Sequence, residues 1–159
     1  QTPSLMSVVS EILEREIELI SRFVAALNDE QACLKASDPA ALPEITAAKL
    51  GLVEQLNAIE SERMAAIGMT GNPSDRTTME DWLSDNTNDV NATVAWEKLL
   101  VLAREAKTLH EMNGRLVDLH VRNTAEILAI LTQEAKQPGL YGASGQAMPT
   151  TGSRIVDSA

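Results

Sequence analysis

The chain has 159 residues, with 13 basic against 23 acidic side chains and a net charge of −10 at pH 7. Its length suits one domain, and its charge repels phosphate backbones and anionic membrane surfaces, which argues against nucleic-acid binding. Phe23, Trp82, Trp96 and Tyr141 are the only aromatic residues, so Leu, Ile, Val and Ala must supply most of the packing. The single cysteine, Cys33, has no partner for an internal disulfide. The chain therefore fits a reducing compartment, and Cys33 reads as a small core or boundary residue rather than a catalytic thiol. The sequence opens on Gln1 rather than Met, and a few residues are expected in front of it. No basic stretch followed by an apolar run opens it, and no uninterrupted apolar run approaches membrane-spanning length.

The first helix is expected from Ser4 to Lys35. Leu13, Ile17, Ile20, Val24, Leu27, Gln31 and Leu34 alternate steps of four and three, which is a heptad seam. A second row, Leu5, Val9, Ile12, Glu16, Leu19, Phe23 and Ala26, lies beside it. Two adjacent rows make a stripe wide enough for two neighbours, which favours a bundle over a two-stranded coil. The next helix is expected from Pro39, with Asp38 as its cap and Pro39 at the first helical position, where a missing N–H costs nothing. Ile45, Lys49, Leu52, Leu56, Ile59, Arg63 and Ala66 keep the heptad spacing, and Gly68, Gly71 and Pro73 end it. The short turn sets these two helices antiparallel.

Residues 68–90 form a long connection carrying five acidic residues and one basic. Thr77 and Glu80 have capping-box spacing ahead of Trp82 and Leu83, so one or two helical turns pinned by Trp82 are expected there. The last helix should run from Asn91 to Gln137 and stop at Pro138-Gly139. Its seam reads Leu99, Ala103, Ala106, His110, Asn113, Val117, His120, Thr124, Ile127 and Leu131. At ~1.5 Å per residue it would be roughly 70 Å long against roughly 45 Å for the first helix. Either it overhangs its partners or the 68–90 segment folds back over it. The expected fold is thus all-α: an antiparallel bundle of three long helices with a short helical segment in the long connection and a flexible C-terminal tail. The domain limits are 1–137 for the bundle and 138–159 for the tail.

Catalytic motifs fail one by one. "HEMNG" opens like a zinc-protease helix, but Gly114 stands where the second histidine belongs. Lys107 and Val117, not glutamates, precede His110 and His120 by three, so no di-iron motif exists. "GASGQ" ends in Gln146 and follows a helix, unlike a nucleophile elbow. No phosphate-binding Gly-rich loop occurs. The carboxylates recur at exposed helical spacing, as on a solvated face. The chain reads as a non-enzyme with no catalytic residue, no metal ligand set and no cofactor. Within the last helix, His110, Asn113 and His120 occupy seam positions and Gly114 sits mid-helix, at ~1 kcal/mol relative to alanine. Polar residues setting register in a partly wet seam explain this. So does a polar contact site where Gly114 lets another backbone approach.

Three antiparallel helices with a long last one, "LHEMNGRLV" inside it, then "LYGASGQ" and a small-residue tail: this pattern resembles the FlgN family of flagellar type III export chaperones. Its most specific pieces are Asn113-Gly114 and Leu140-Tyr141-Gly142 with Gly145-Gln146. The resemblance implies a cytoplasmic chaperone that keeps hook–filament junction proteins export-competent and passes them to the export apparatus. It also implies partner binding through the C-terminal part, with Tyr141 in the role of a tail tyrosine that docks on the export gate. No nucleic acid and no membrane insertion are expected. A structural adaptor that self-associates through its coiled-coil seam is the second reading.

Residues 138–159 are crowded with Gly, Ser, Thr and Pro yet keep large apolar side chains. Such a segment buries too little apolar surface to fold alone. Read as a binding segment, its anchors are Leu140, Tyr141, Met148, Ile155 and Val156, with Gly142 and Gly145 allowing the chain to turn beside the tyrosine. Ile127, Leu128, Ile130 and Leu131 spread over more than one helix face. Ile127, Ile130 and Leu131 accordingly join Asn113 and Gly114 as candidate partner-binding residues on the last helix.

Overall fold

A computed structural model describes residues 7–68 and 76–135. Among them every regular element is a helix: α1 (Val8–Ala36), α2 (Leu42–Ala66), α3 (Arg76–Asp85) and α4 (Val90–Ala135). The expected boundaries near Lys35, Pro39, Gly68 and Asn91 hold to within three residues. The expected start at Ser4 with Leu5, the stops at Gly71, Pro73 and Pro138, and the whole tail lie outside the described residues. The chain divides into two compact units, Gln1–Asn113 and Gly114–Ala159.

The first unit is built on α1. Both rows anticipated for it face inward: Val9, Ile12, Leu13, Glu16, Ile17, Val24, Leu27 and Leu34 are all buried. One cluster joins Val9, Leu13 and Ile17 to Met79 and Leu83 of α3 and to Ala92, Ala95, Trp96 and Leu99 of α4. The long connection therefore folds back onto the core. Met79, fully buried, and Leu83 hold it there, with Trp82 only partly buried beside them. A second cluster continues along α1 with Val24, Leu27 and Ala106. Alanines at 92, 95 and 106 keep the facing side chains of α4 short, which suits a core with few aromatics.

Several local expectations are corrected. Asp38 does accept a backbone N–H, from Ala40 at 3.3 Å, but a tight turn closed by Leu42 N–H on Pro39 O at 3.2 Å comes first. The α-helix then starts at Leu42, with Pro43 rather than Pro39 in its first turn and no side-chain cap. Thr77 lies inside α3 instead of capping it. On α4, the seam runs through Leu99, Leu102, Ala106, Leu109 and Asn113, while Ala103 and His110 are exposed. A step of three then four fits as well as four then three, and the larger leucines at 102 and 109 take the inner positions. On α2, Ile67 is half-buried and Ala66 is exposed.

Caps fix the ends. Ser7 Oγ accepts from Ser10 N at 3.0 Å and caps α1. Asp89 Oδ1 accepts from Ala92 N at 3.1 Å and caps α4. The Ser7 hydroxyl in turn donates to Asp89 Oδ2, so the two caps are bonded to each other. The positive ends of two helix dipoles thereby share one carboxylate. At the far end of α1, Ser37 takes the left-handed conformation at φ 54°, with Ser37 N–H on Leu34 O and Asp38 N–H on Cys33 O. That is the Schellman arrangement, usually given to glycine. Gly68, at φ 84°, fills the equivalent need after α2.

Two polar layers cross this unit. In the first, Arg63 of α2 donates from Nε to Glu16 Oε1 at 2.9 Å and from Nη2 to Glu16 Oε2 at 3.4 Å, with both side chains buried. The guanidinium lies 5.0 Å from the centre of the Trp96 ring on α4. In the second layer, Lys49 Nζ contacts both carboxylate oxygens of Glu30, at 2.9 and 2.8 Å. Glu30 lies fourteen residues after Glu16, and Lys49 fourteen before Arg63, so the same register serves both layers and the two helices run in opposite directions. Outside the core, Arg15 of α1 pairs with Glu62 of α2, with the charges exchanged between the helices.

Burial raises the Glu16 pKa above the ordinary glutamate value, and the Arg63 charge and hydrogen bonds pull against that rise. A carboxyl with a raised folded pKa binds its proton more tightly folded than unfolded. Its contribution to stability therefore falls as pH rises from the ordinary glutamate range through the folded value. Replacing Glu16→Leu alone strands a buried guanidinium and should cost about 3–5 kcal/mol in urea unfolding at pH 7. Glu16→Leu with Arg63→Met should instead come within about 1 kcal/mol of the parent or exceed it, and should lose this part of the pH dependence. Equal loss in the single and double variants would contradict the account. Ser37→Gly should stabilise the chain by about 0.5–1 kcal/mol, because relief of left-handed strain exceeds the added freedom of the unfolded chain. A lower melting temperature would refute it.

Candidate functional site

Asn113 closes the second polar layer. It is 3 % exposed, and its Nδ2 donates to Leu27 O and to Glu30 Oε1, both at 2.9 Å. One amide thus bonds the backbone of α1 and the carboxylate that already holds Lys49 of α2. Its Oδ1 is buried with no partner. In this arrangement Asn113 fixes the register of α4 on α1. The next residue, Gly114, is exposed, and a Cβ placed on it would meet nothing within 4 Å. Among the described residues no close approach requires a glycine there.

The remainder of α4, residues 114–135, belongs to the second unit. Among its described residues no side chain is buried. Val117, Leu119, Val121, Ile127, Ile130 and Leu131 are 44–58 % exposed, while Leu116 and Leu128 are half-buried. At 100° per residue these eight span an arc of about 200° around the helix, and Arg115, Asp118, Arg122 and Glu126 occupy the other side. A helix facing a single neighbour needs an apolar stripe of only about 100°. Thr124 and Thr132 turn their hydroxyls back to the carbonyls of His120 and Leu128, at 3.0 and 2.7 Å, and so present their methyls outward. Between residues 116 and 131 the apolar side chains form a broad face, interrupted by His120 and Asn123, with the acidic and basic residues of that stretch on its reverse.

Of the candidates taken from the sequence, Ile127, Ile130 and Leu131 stand on this face, Gly114 lies exposed at the start of the second unit, and Asn113 lies in the first unit against α1. Leu140, Tyr141, Gly142, Gly145, Met148, Ile155 and Val156 lie outside the described residues. Leu119 and Val121 were missed because neither fits the heptad seam, and Val117 was expected inside it. The signal available was the number of apolar residues between 116 and 131, which exceeds what one seam can hold. Among the described residues no group of three or more His, Cys, Asp or Glu side chains could hold a metal ion. No helix among them is long and apolar enough to cross a membrane.

The model of the FlgN protein family matches residues 6–149. The flagella synthesis protein FlgN of Proteus mirabilis is 28 % identical over 146 residues, covering 90 % of this chain and 92 % of that protein. No solved structure matches the chain at a significant level. The match runs from the start of α1 through the apolar face of α4 and past its end. By that nearly full-length correspondence, the chain belongs to the FlgN family of flagellar type III export chaperones.

Proposed function

We propose that this chain is a cytoplasmic flagellar export chaperone that binds hook–filament junction proteins and delivers them to the type III export apparatus. The observation that carries the reading is the exposed apolar face of α4, in a chain whose family match includes that face. A client's amphipathic helix can lay its apolar side on such a surface, with i, i+3, i+4 and i+7 anchors. Ile127, Ile130 and Leu131 are its central contacts in this reading, and Gly114 allows close approach at one end. Asn113 acts indirectly, by holding α4 in register. α2 runs antiparallel to α1, the first half of α4 lies along α1 in the same direction, and α3 covers one end. Leu140, Tyr141, Gly142, Gly145, Met148, Ile155 and Val156 serve as a second contact segment, in which Tyr141 docks on the export gate. No step of this cycle requires catalysis or a cofactor. The net charge of −10 keeps copies apart in solution.

Ile127→Ser with Leu131→Ser should weaken capture of a purified junction protein at least tenfold while far-UV circular dichroism keeps its helix signal. Unchanged capture with a lower melting temperature would make these residues ordinary core. If the same pair instead converts a dimer to a monomer and no junction protein binds the parent, the self-associating adaptor is correct. Tyr141→Ala should reduce binding to the isolated cytoplasmic domain of the export gate more than it reduces client capture. A loss confined to client capture would move the tyrosine to the client side.

A further inference from the structure

α3 is a short amphipathic helix seated in a groove of the first unit. The inward residues of α3 and of the turn after it, Met79, Trp82, Leu83 and Asn86, recur at i, i+3, i+4 and i+7. That is the spacing by which one helix lays its face into a groove on another protein. Met79 and Leu83 are buried, Trp82 and Asn86 are half-buried, and Glu80, Asp81, Ser84 and Asp85 face solvent. The groove is made by Val9, Leu13 and Ile17 of α1 and by Ala92, Ala95 and Leu99 of α4. The two alanines leave its floor low, and Met79 and Leu83 fill the depth.

Three observations set α3 apart from the helices around it. First, Met79 and Leu83 alone are buried among its described side chains. Second, both polar layers draw their members from α1, α2 and α4. Third, a cavity of about 570 Å³ borders Trp82 and is lined by Ser7, Asn86, Asp89 and Val90 among others, so one edge of α3 meets open space. The turn after α3 supplies a pivot. Asn86 N–H donates to Leu83 O at 3.1 Å and Asp89 N–H to Asn86 O at 3.0 Å, while the Asp89 carboxylate is fixed by Ser7 and Ala92. Rotation between 86 and 89 moves α3 and leaves both caps in place. Elements with few buried contacts open at lower free energy than the core around them. A methionine anchor also leaves a groove that other side chains can fill.

We propose that α3 is an exchangeable occupant, and that the groove of Val9, Leu13, Ala92 and Ala95 beneath it docks an amphipathic helix of a partner protein with bulky apolar residues at i, i+3 and i+4. α3 keeps the groove covered until that helix displaces it. Being part of the same chain, α3 competes at an effective concentration on the order of millimolar, so the partner helix must be longer or better anchored. The site does not depend on reading the 117–131 face as the client site.

The test is cysteine modification of the full chain in a Cys33→Ser background. Ala95→Cys puts a thiol in the groove, and Ala106→Cys puts one in the second cluster, which contains no residue of α3. The parent alanines are 2 % and 5 % exposed, so burial alone gives no difference between them. The groove thiol should react at least about tenfold faster, because opening of α3 alone uncovers it. An equal or slower rate overturns the proposal. Met79→Ser with Leu83→Ser should raise the Ala95→Cys rate further and leave that of Ala106→Cys unchanged. Met79→Ala should do the same in smaller measure, and serves in place of the pair if the pair loses helix signal. A synthetic peptide of residues 76–89 is then added to the anchor-stripped chain. It should protect the groove thiol at concentrations on the order of millimolar, and the same peptide carrying Met79→Ser and Leu83→Ser should not. Absence of protection overturns the proposal. So does a groove rate that falls as the concentration of peptide-free chain rises, because a second copy then covers the site.

Discussion

The first unit depends on charge that is paired across helices in a low-dielectric interior. Arg63 is buried against Glu16, and Lys49 is nearly as enclosed against Glu30. Each layer takes its acid from α1, its base from α2 and a third group from α4: the Trp96 ring in one, the Asn113 amide in the other. If α2 slid by one turn against α1, a charge would be stranded in each layer at once. Aliphatic seams tolerate such a slip far better, since one leucine replaces another with little loss. The apolar core thus supplies most of the attraction, and the two polar layers select a single register.

That selection matters because the core is lean. Alanines face α1 from α4 where larger residues would be usual, so the helices pack on backbone proximity and on the few bulky groups of Trp96, Met79 and Leu83. Trp96 fills two roles, as the largest core side chain on α4 and as the π surface beneath Arg63, and its indole N–H is buried without a partner. The short α3, with Met79 and Leu83, acts as a lid over this end. The Ser7–Asp89 bond ties the start of α1 to the start of α4 at the same place.

How much of this was legible in the sequence differs from helix to helix. Both rows of α1 were readable, polar members included, because bulky aliphatics repeat without interruption on each side of Glu16 and Gln31. Half the α4 seam was readable. Leu99, Ala106 and Asn113 satisfy both possible phasings, and only the volumes of Leu102 and Leu109 decide between them. The cap of α2 was misread because Pro39 and Pro43 carry the same signal and only the turn between them separates their roles. Partners of the buried charges could not be read at all, since Glu16 and Arg63 are 47 residues apart and nothing local joins them. At the candidate site, Ile127, Ile130 and Leu131 stood out by spreading over two faces. Val117 did not, because periodicity says which residues share a side but not whether a neighbour is present there.

The contrast between the two halves of α4 bears on how that helix comes to exist. Starting a helix is unfavourable because the first turn must form without compensating contacts, and in proteins most helical stability comes from packing an apolar face. Residues 114–133 have no buried side chain to offset that step. Residues 90–113 do, through Ala92, Ala95, Trp96, Leu99, Ala106 and Asn113. The second half therefore needs no nucleus of its own: it propagates from turns already formed, one residue at a time. Gly114 sits at the first step of that propagation, where its weak helix propensity acts on every residue beyond it. The presented face is in this sense an extension grown from the core, and its helicity responds to that single residue more than to any contact it makes itself.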